Sequence, residues 1–354
     1  MSETSCITCL CGQVSQRVSP TLAESFSVCH CSSCRSTSGV LCTSYLVLNS
    51  PPDINKCCLT EYAQSANVSR WFCAVCGAHV FAYAKHADRY YVATGLLETT
   101  IPSEQRRVTH WGTRHTRDGG LSRFLQLGND ASANGDVTAC LLGPTVANDK
   151  ENDKNENNGD IHSSRLQARC HCGGVDFSIT RPDDIRSRSV WSPWPDLLVP
   201  YHSASLREKS NPDDVKWWVC ADNTKYLAGT CACTSCRLAS GFPIQTWAFV
   251  PKTNIVSAAE SGTEFEYRST SATLQCFESS PGVFREFCNL CGATVFWHCS
   301  ERPGVVDVSV GVLRAQTGAR AEDWLDWVTA RVSFAEDALG DPLIALLEEG
   351  LRAS

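Results

Sequence analysis

The sequence contains a single methionine, its first residue, and no apolar run near the ~20 residues that a bilayer-spanning helix requires. A helical membrane span is therefore not expected. The opening MSETSCITCL lacks a basic stretch followed by an apolar one, so it does not read as a secretory signal, and a cytoplasmic location is expected. Positive charge is also scarce. Against 38 Asp and Glu stand 31 Lys and Arg, a formal net charge of −7, which argues against a bulk electrostatic grip on nucleic acid or anionic lipid. Charged residues are only 19% of the chain and apolar ones 43%, the balance of a globular protein rather than an acidic disordered one. No phosphate-binding loop, dinucleotide fingerprint or Ser–His–Asp set is apparent. What the chain has in abundance is cysteine, 22 in 354 residues. A reducing compartment keeps thiols from forming a disulfide scaffold, so metal binding is the leading explanation.

The cysteines fall into three clusters, and the three occur twice in the same order. CLCGQV from Cys9, CHCSSCRSTSG from Cys29 and FCAVCGAHVF from Phe72 are matched by CHCGGV from Cys170, CACTSCRLASG from Cys231 and FCNLCGATVF from Phe287. The offsets between the halves are 170 − 9 = 161, 231 − 29 = 202 and 288 − 73 = 215. Spacing within each cluster is constant while the loops between them differ, as expected when ligand geometry fixes local spacing and surface loops accept insertions. Tyr45 in TSYLVLN and Trp247 in QTWAFVP stand at matched positions, as do Gly95 in VATGLLE and Gly311 in VSVGVLR. These segments are β-rich. Val306, Val308, Val310 and Val312 alternate as one face of a strand should, and so do Val175, Phe177 and Ile179.

At ~100–200 residues per domain, the length fits two such lobes. The expected division is a first zinc-binding lobe over 1–128, a polar flexible linker over 129–163 and a second zinc-binding lobe over 164–354. The stretch from Asn148 to Asp160, NDKENDKNENNGD, has no apolar side chain to offset its ordering entropy. In the second lobe a Trp-rich insertion at about 181–227 holds Trp191, Trp194, Trp217 and Trp218; these line an aromatic pocket or pack as the insertion's own core. At the C-terminus, Asp341-Pro342 before LIALLEEGL reads as an N-cap, a proline at the first helical position and a short helix that packs on the second lobe. The fold class is mainly β: two tandem zinc-binding β-sheet lobes and a short C-terminal helix.

Each lobe offers clustered thiols divided as two, three and two. A C-x-C with a C-x-x-C completes a four-thiolate structural zinc site, giving Cys9, Cys11, Cys73 and Cys76 in the first lobe and Cys170, Cys172, Cys288 and Cys291 in the second. The C-x-C-x-x-C clusters supply only three ligands, Cys29, Cys31 and Cys34 or Cys231, Cys233 and Cys236. Three ligands with an open fourth position are the pattern of catalytic zinc. A zinc ion with three thiolates carries net charge −1 and is suited to hold an incoming thiolate or a hydroxide. Two alternatives stay open. One is iron–sulfur ligation; the other is a fourth protein ligand, drawn from Cys42, Cys57, Cys58 and Cys140 in the first lobe or Cys220, Cys276 and Cys299 in the second.

The order C-x-C-G, C-x-C-x-x-C-R-x-x-S-G, F-C-x-x-C-G resembles the glutathione-dependent formaldehyde-activating enzymes, a family that also includes centromere protein V. The resemblance covers roughly 5–125 and 165–335 and includes all fourteen motif cysteines. It implies a zinc fold of the Rab exchange-factor type with up to four zinc ions in this tandem chain, glutathione as co-substrate and carbon–sulfur lyase chemistry. It also implies that Cys29, Cys31 and Cys34, and Cys231, Cys233 and Cys236, are the active zinc clusters.

Arg35 and Arg237 follow the triple clusters and are candidates for substrate binding, with Trp247 beside them. His110, His115, His202 and His298 are candidate acid–base groups, whereas His30 and His79 are replaced by Ala232 and Thr294 in the second lobe. The expected activity is a zinc-dependent carbon–sulfur lyase or synthase acting on a small-molecule thiol adduct of an aldehyde or specialised metabolite. The thiolate would bind at an open three-cysteine zinc, with the insertion making the second lobe the busier one. Nucleic acid and membrane are not expected partners, and the lobes are candidates for an intrachain pseudo-dimer. Competing expectations are a non-catalytic zinc module for protein or chromatin interaction and a zinc-hydroxide hydrolase or isomerase.

Overall fold

The computed structural model describes residues 4–21, 26–54, 58–98, 108–126, 137–143, 164–183, 185–257, 272–338 and 340–354. Each lobe is built on one mainly antiparallel sheet. The first sheet runs in the order Leu59–Ser65, Val68–Cys73, His79–Ala84, Arg89–Ala93, Thr43–Val47, Phe26–Cys29, Val108–Trp111. The second runs Val219–Cys220, Lys225–Cys231, Gln245–Pro251, Arg302–Ser309, Thr294–Cys299, Val283–Cys288, Leu274–Ser280, with Leu325–Trp327 parallel to Lys225–Cys231. Smaller sheets carry the first cysteine knuckles, Ser5–Thr8 with Ser15–Val18 and Arg165–Arg169 with Asp176–Thr180 and Ile255–Ser257. The mainly β duplication is thus observed. No helix among the described residues is long and apolar enough to cross a membrane.

The valine alternation resolves differently from its one-faced reading. Val306 and Val308 are fully buried in their strand, but so nearly are Asp307 and Ser309, because both faces of this sheet are covered. Val310 and Val312 lie in a buried 3-10 turn.

Helices α1 (Ser32–Ser38) and α2 (Thr234–Ser240) follow from the triple-cysteine motif itself. The second cysteine of each motif, Cys31 or Cys233, is the N-cap, its sulfur accepting the backbone N–H of the third, Cys34 or Cys236. The motif's closing glycine ends the helix in the left-handed region, Gly39 at φ +83° and Gly241 at φ +87°.

Those same glycines join the lobes. Gly311 N–H donates to Gly39 O at 3.0 Å, and Gly95 N–H donates to Gly241 O at 2.9 Å, a reciprocal pair about a pseudo-twofold axis. Leu10 N–H to Leu238 O (3.3 Å) and His171 N–H to Ser36 O (3.0 Å) repeat the pattern further out. Phe72 and Phe287 meet near the axis with ring centroids 6.5 Å apart, each against the other lobe's Gly292 or Gly77. The main core is correspondingly shared: Val28, Leu121 and Phe124 of the first lobe belong to one cluster with Phe177, Val308 and Leu347 of the second.

The C-terminal helix, α3 (Pro342–Arg352), starts as its sequence dictates, with Asp341 Oδ1 accepting Leu343 N–H at 2.8 Å and Pro342 in the first turn. It reaches beyond the second lobe. Gly350 lies so close to Phe124 that a Cβ there would sit 1.9 Å from the Phe124 carbonyl oxygen. The linker core, 148–160, lies outside the described residues. The stretch 137–143, within the expected flexible segment, is docked on the first lobe, with Cys140 and Leu142 buried and Arg114 N–H bonded to Val137 O at 3.0 Å.

A Cβ at Gly39 would lie 2.1 Å from Thr294 O, and one at Gly241 2.2 Å from His79 O. Gly39→Ala and Gly241→Ala are therefore each expected to cost about 2–4 kcal/mol, through left-handed strain and separation of the lobes. Gly340→Ala, at φ +68° in open space, should cost only about 1 kcal/mol. Thermal and chemical denaturation of the three variants checks the order.

Candidate metal centres and thiol site

Four groups of cysteines come together, each with its sulfurs within 4.8 Å of one another. The two sets expected to be structural assemble as C-x-C plus C-x-x-C: Cys9, Cys11, Cys73 and Cys76, and Cys170, Cys172, Cys288 and Cys291. Sulfur–sulfur distances of 3.5 Å (Cys9–Cys11, Cys11–Cys73, Cys170–Cys172, Cys172–Cys288) are far beyond the ~2.05 Å of a disulfide. They approach the edge of about 3.8 Å expected for a tetrahedron of sulfurs ~2.3 Å from a central ion. The knuckles also aim backbone N–H groups at sulfur, Val14 at Cys9 (3.4 Å) and Val175 at Cys170 (3.3 Å), which stabilises thiolate. The donor sets fit a metal that prefers four thiolates.

The two triple clusters differ. In the first lobe, Cys140 closes the set: its sulfur lies 3.9 Å from Cys29 Sγ and 3.6 Å from Cys34 Sγ. Leu141 N–H points at Cys29 Sγ from 3.5 Å. The open position expected at Cys29, Cys31 and Cys34 is thus filled by a thiol, and all three are fully buried. In the second lobe, no fourth Cys, His, Asp or Glu joins Cys231, Cys233 and Cys236 among the described residues. Cys220, Cys276 and Cys299 stand outside the set, and Cys57 lies outside the described residues. All six cysteines of the two triple sets are buried, those of the second slightly less completely, with 5%, 8% and 5% exposure against 0% for each of the first three. In each of the four groups at least one thiol is held below the ordinary range by hydrogen bonding from its neighbours: Cys9 chiefly by Cys73, Cys34 by Cys140, Cys172 by Cys170 and Cys233 by Cys231.

An arginine serves each triple set, but not the expected one. Arg70 donates from Nη2 to Cys34 Sγ at 2.9 Å and from Nη1 to Tyr45 Oη at 2.6 Å. Its counterpart Arg285 places both Nη atoms 3.6 Å from Cys236 Sγ and Nη2 2.9 Å from Ser235 Oγ, while its buried Nε has no hydrogen-bond partner among the described residues. The sequence carried this signal as R-x-F-C in both halves, at the same offset of 215 as the neighbouring cysteines (285 − 70). Arg35 and Arg237 turn away from the thiols. Arg35 bonds the carbonyls of His30 and His115 and lines an interlobe cleft of about 130 Å³; Arg237 bonds the carbonyls of Gly95 and Leu97 across the lobe interface.

Trp247 packs directly with Cys231, Cys233 and Cys236, and Trp297 and Phe334 pack against the same cluster. Phe334 is a phenylalanine at φ +54°, ψ +37°, a conformation whose strain is of order 1–3 kcal/mol. Nothing in the sequence marked it. Trp217 and Trp218 form the insertion's own core with Leu197, Phe249 and Val305, Trp194 packs at its side, and Trp191 is half exposed.

The insertion contributes polar groups instead. The Asp196 carboxylate accepts from Ser333 Oγ, and Ser333 pairs with Cys231; burial raises the Asp196 pKa above the usual carboxylate range. Asp307, ion-paired with Arg302, is pushed up by burial to about 7.

The histidines are mostly tied into the fold. His30 and His110 form a buried pair at 2.9 Å, His115 bonds Thr138 O and His298 bonds Glu286. His202 pairs with Asp337 at 3.2 Å, and its ring lies 5.4 Å from that of Phe334, which packs on the second triple set.

The sequence model of a family described as "Glutathione-dependent formaldehyde-activating enzyme" matches residues 4–113 and 217–327. No curated protein and no solved structure matches the chain. Cys140, Asp196 and Phe334 all lie outside the matched segments.

Cys140→Ser is expected to remove one metal equivalent per chain and lower the melting temperature, whereas Cys220→Ser leaves metal content unchanged. Atomic emission on the purified variants with parallel thermal denaturation measures both.

Proposed function

The chain belongs to the glutathione-dependent formaldehyde-activating enzyme family, and from that premise we propose a zinc-dependent carbon–sulfur lyase or synthase. It acts on a glutathione or similar thiol adduct of an aldehyde, with its active centre at Cys231, Cys233 and Cys236. The observation that carries this reading is the difference between the triple sets: among the described residues the second has three members, whereas Cys140 completes the first as a set of four. In this account the first lobe's set is a structural centre, as are the two C-x-C plus C-x-x-C sets, so that up to four zinc ions are held. Four-thiolate coordination suits zinc, which has no geometric demand of its own and favours tetrahedral sulfur sites.

Cys231, Cys233 and Cys236 would hold the zinc ion, which would supply Lewis acidity that favours a substrate sulfur as thiolate. The chain's own groups do the rest. Arg285, donating towards Cys236 Sγ, withdraws charge from the ligand set and offsets its net negative charge. Trp247 shields one side of the set from water. Adduct formation joins the sulfur of the thiol to the aldehyde carbon, and the proton lost by the thiol ends on the new hydroxyl oxygen. Ser333 Oγ and the Asp196 carboxyl group provide a route for that proton beside Cys231. The reverse reaction breaks the same bond and returns the same proton.

Cys233→Ala is expected to abolish the protein's acceleration of adduct formation between glutathione and an aldehyde while the fold survives, and Arg285→Gln to lower kcat about 10–100-fold. NMR exchange kinetics on the adduct, with circular dichroism on the same samples, gives the readout. Full turnover in Cys233→Ala contradicts the assignment.

A further inference from the structure

Matched backbone hydrogen bonds and strand registers in the two lobes show how the surroundings of their triple sets differ. His30 N–H donates to Trp111 O at 2.8 Å, and Ala232 N–H to Ser333 O at 2.9 Å, so Trp111 and Ser333 are counterparts. The next residues, Gly112 and Phe334, share a left-handed backbone (φ +63°, ψ +26° and φ +54°, ψ +37°), and each caps a 3-10 turn. In the first lobe a Cβ at Gly112 would lie 2.8 Å from Cys31 Cβ, so the chain closes down on the thiols and only glycine fits. In the second, the same position carries a strained benzyl side chain packed on the thiol cluster.

A second difference lies across the sheet. Arg70 pairs in register with Ala82, whereas Arg285 pairs with Trp297. A third replaces Tyr45, whose hydroxyl is bound by Arg70, with Trp247, which leaves Arg285 to Ser235 and Cys236. The insertion adds an outer pair of rings. Tyr201, 57% exposed, and His202 lie 5.6 and 5.4 Å from Phe334. Where glycine, alanine and tyrosine surround the four-membered set, phenylalanine, tryptophan and tryptophan surround the three-membered one.

Flat rings that run from the exposed Tyr201 through the half-buried Phe334 and Trp297 to the buried thiols, one of them kept in a strained backbone, are arranged to contact another flat ring. Resting on the thiol-adduct reading above, we propose that the electrophile handled at Cys231, Cys233 and Cys236 is an aromatic aldehyde rather than formaldehyde. Trp297 and Phe334 are the residues that select it. The reaction balances as before: the thiol sulfur bonds the aldehyde carbon, the thiol proton passes to the carbonyl oxygen, and nothing is oxidised or reduced.

The test compares two inert adduct analogues, S-benzylglutathione and S-methylglutathione, by calorimetry on the zinc-loaded full chain. The benzyl compound is expected to bind at least about tenfold more tightly. Trp297→Ala and Phe334→Gly should bring the two affinities together. Phe334→Gly relieves the left-handed strain, so its loss of preference cannot be assigned to unfolding; an unchanged or raised melting temperature verifies this. Equal affinities in the wild type, or a preference that survives both substitutions, overturns the proposal. Formaldehyde turnover with no benzyl preference overturns only this proposal, while a benzyl preference without turnover of any aldehyde removes the lyase reading and this proposal with it.

Discussion

Thiolates a few ångströms apart repel one another, and the fold brings cysteine sulfurs to 3.5 Å in each of its C-x-C knuckles. Only shared protons or a cation make that arrangement stable, and a structural zinc site supplies on the order of 10 kcal/mol or more of folding free energy. The lobes are arranged around this constraint. Cysteines sit on turns between strands, amides point at sulfur, and α1 and α2 exist as short helices because a ligand cysteine caps each of them. The glycine that ends each helix is also the contact point between lobes, so ligand geometry and lobe packing are fixed by one eleven-residue motif.

The duplication has been put to unequal use. One triple set is completed by Cys140, carried on a segment docked over the first lobe, and is buried among Tyr45, Ala82 and Leu142. The other is three-membered among the described residues and surrounded by larger rings. On the proposed reading one repeated geometry serves once as scaffold and once as a site with a coordination position to offer. Of the groups that distinguish the two, Cys140, Asp196 and Phe334 come from outside the segments that match the family, whereas Trp247 and Trp297 lie inside them.

Much of this was legible in the sequence because it is local. The cysteine spacings, the β character, the N-cap at Asp341 and the repeat offsets each depend on residues close in the chain, and each appears in the structure. The paired R-x-F-C motif was equally available and identifies Arg70 and Arg285, whereas the conspicuous Arg35 and Arg237 next to the cysteines are spent on backbone carbonyls. What could not be read depends on distant contacts. Cys140 is 111 residues from Cys29 and has no matched partner in the second half, so nothing in its spacing marks it as a ligand. Phe334 takes its importance from a left-handed backbone and from the thiols it covers, neither of which leaves a trace in composition or period.

The account's central claim is that the two triple-cysteine centres differ in coordination, one closed and one open to a substrate sulfur. A crystal structure of the zinc-loaded protein soaked with glutathione tests it most directly. The account predicts Cys140 Sγ as the fourth ligand beside Cys29, Cys31 and Cys34, and the glutathione sulfur as the fourth beside Cys231, Cys233 and Cys236. A protein side chain completing the second centre, with glutathione excluded from it, would contradict the claim.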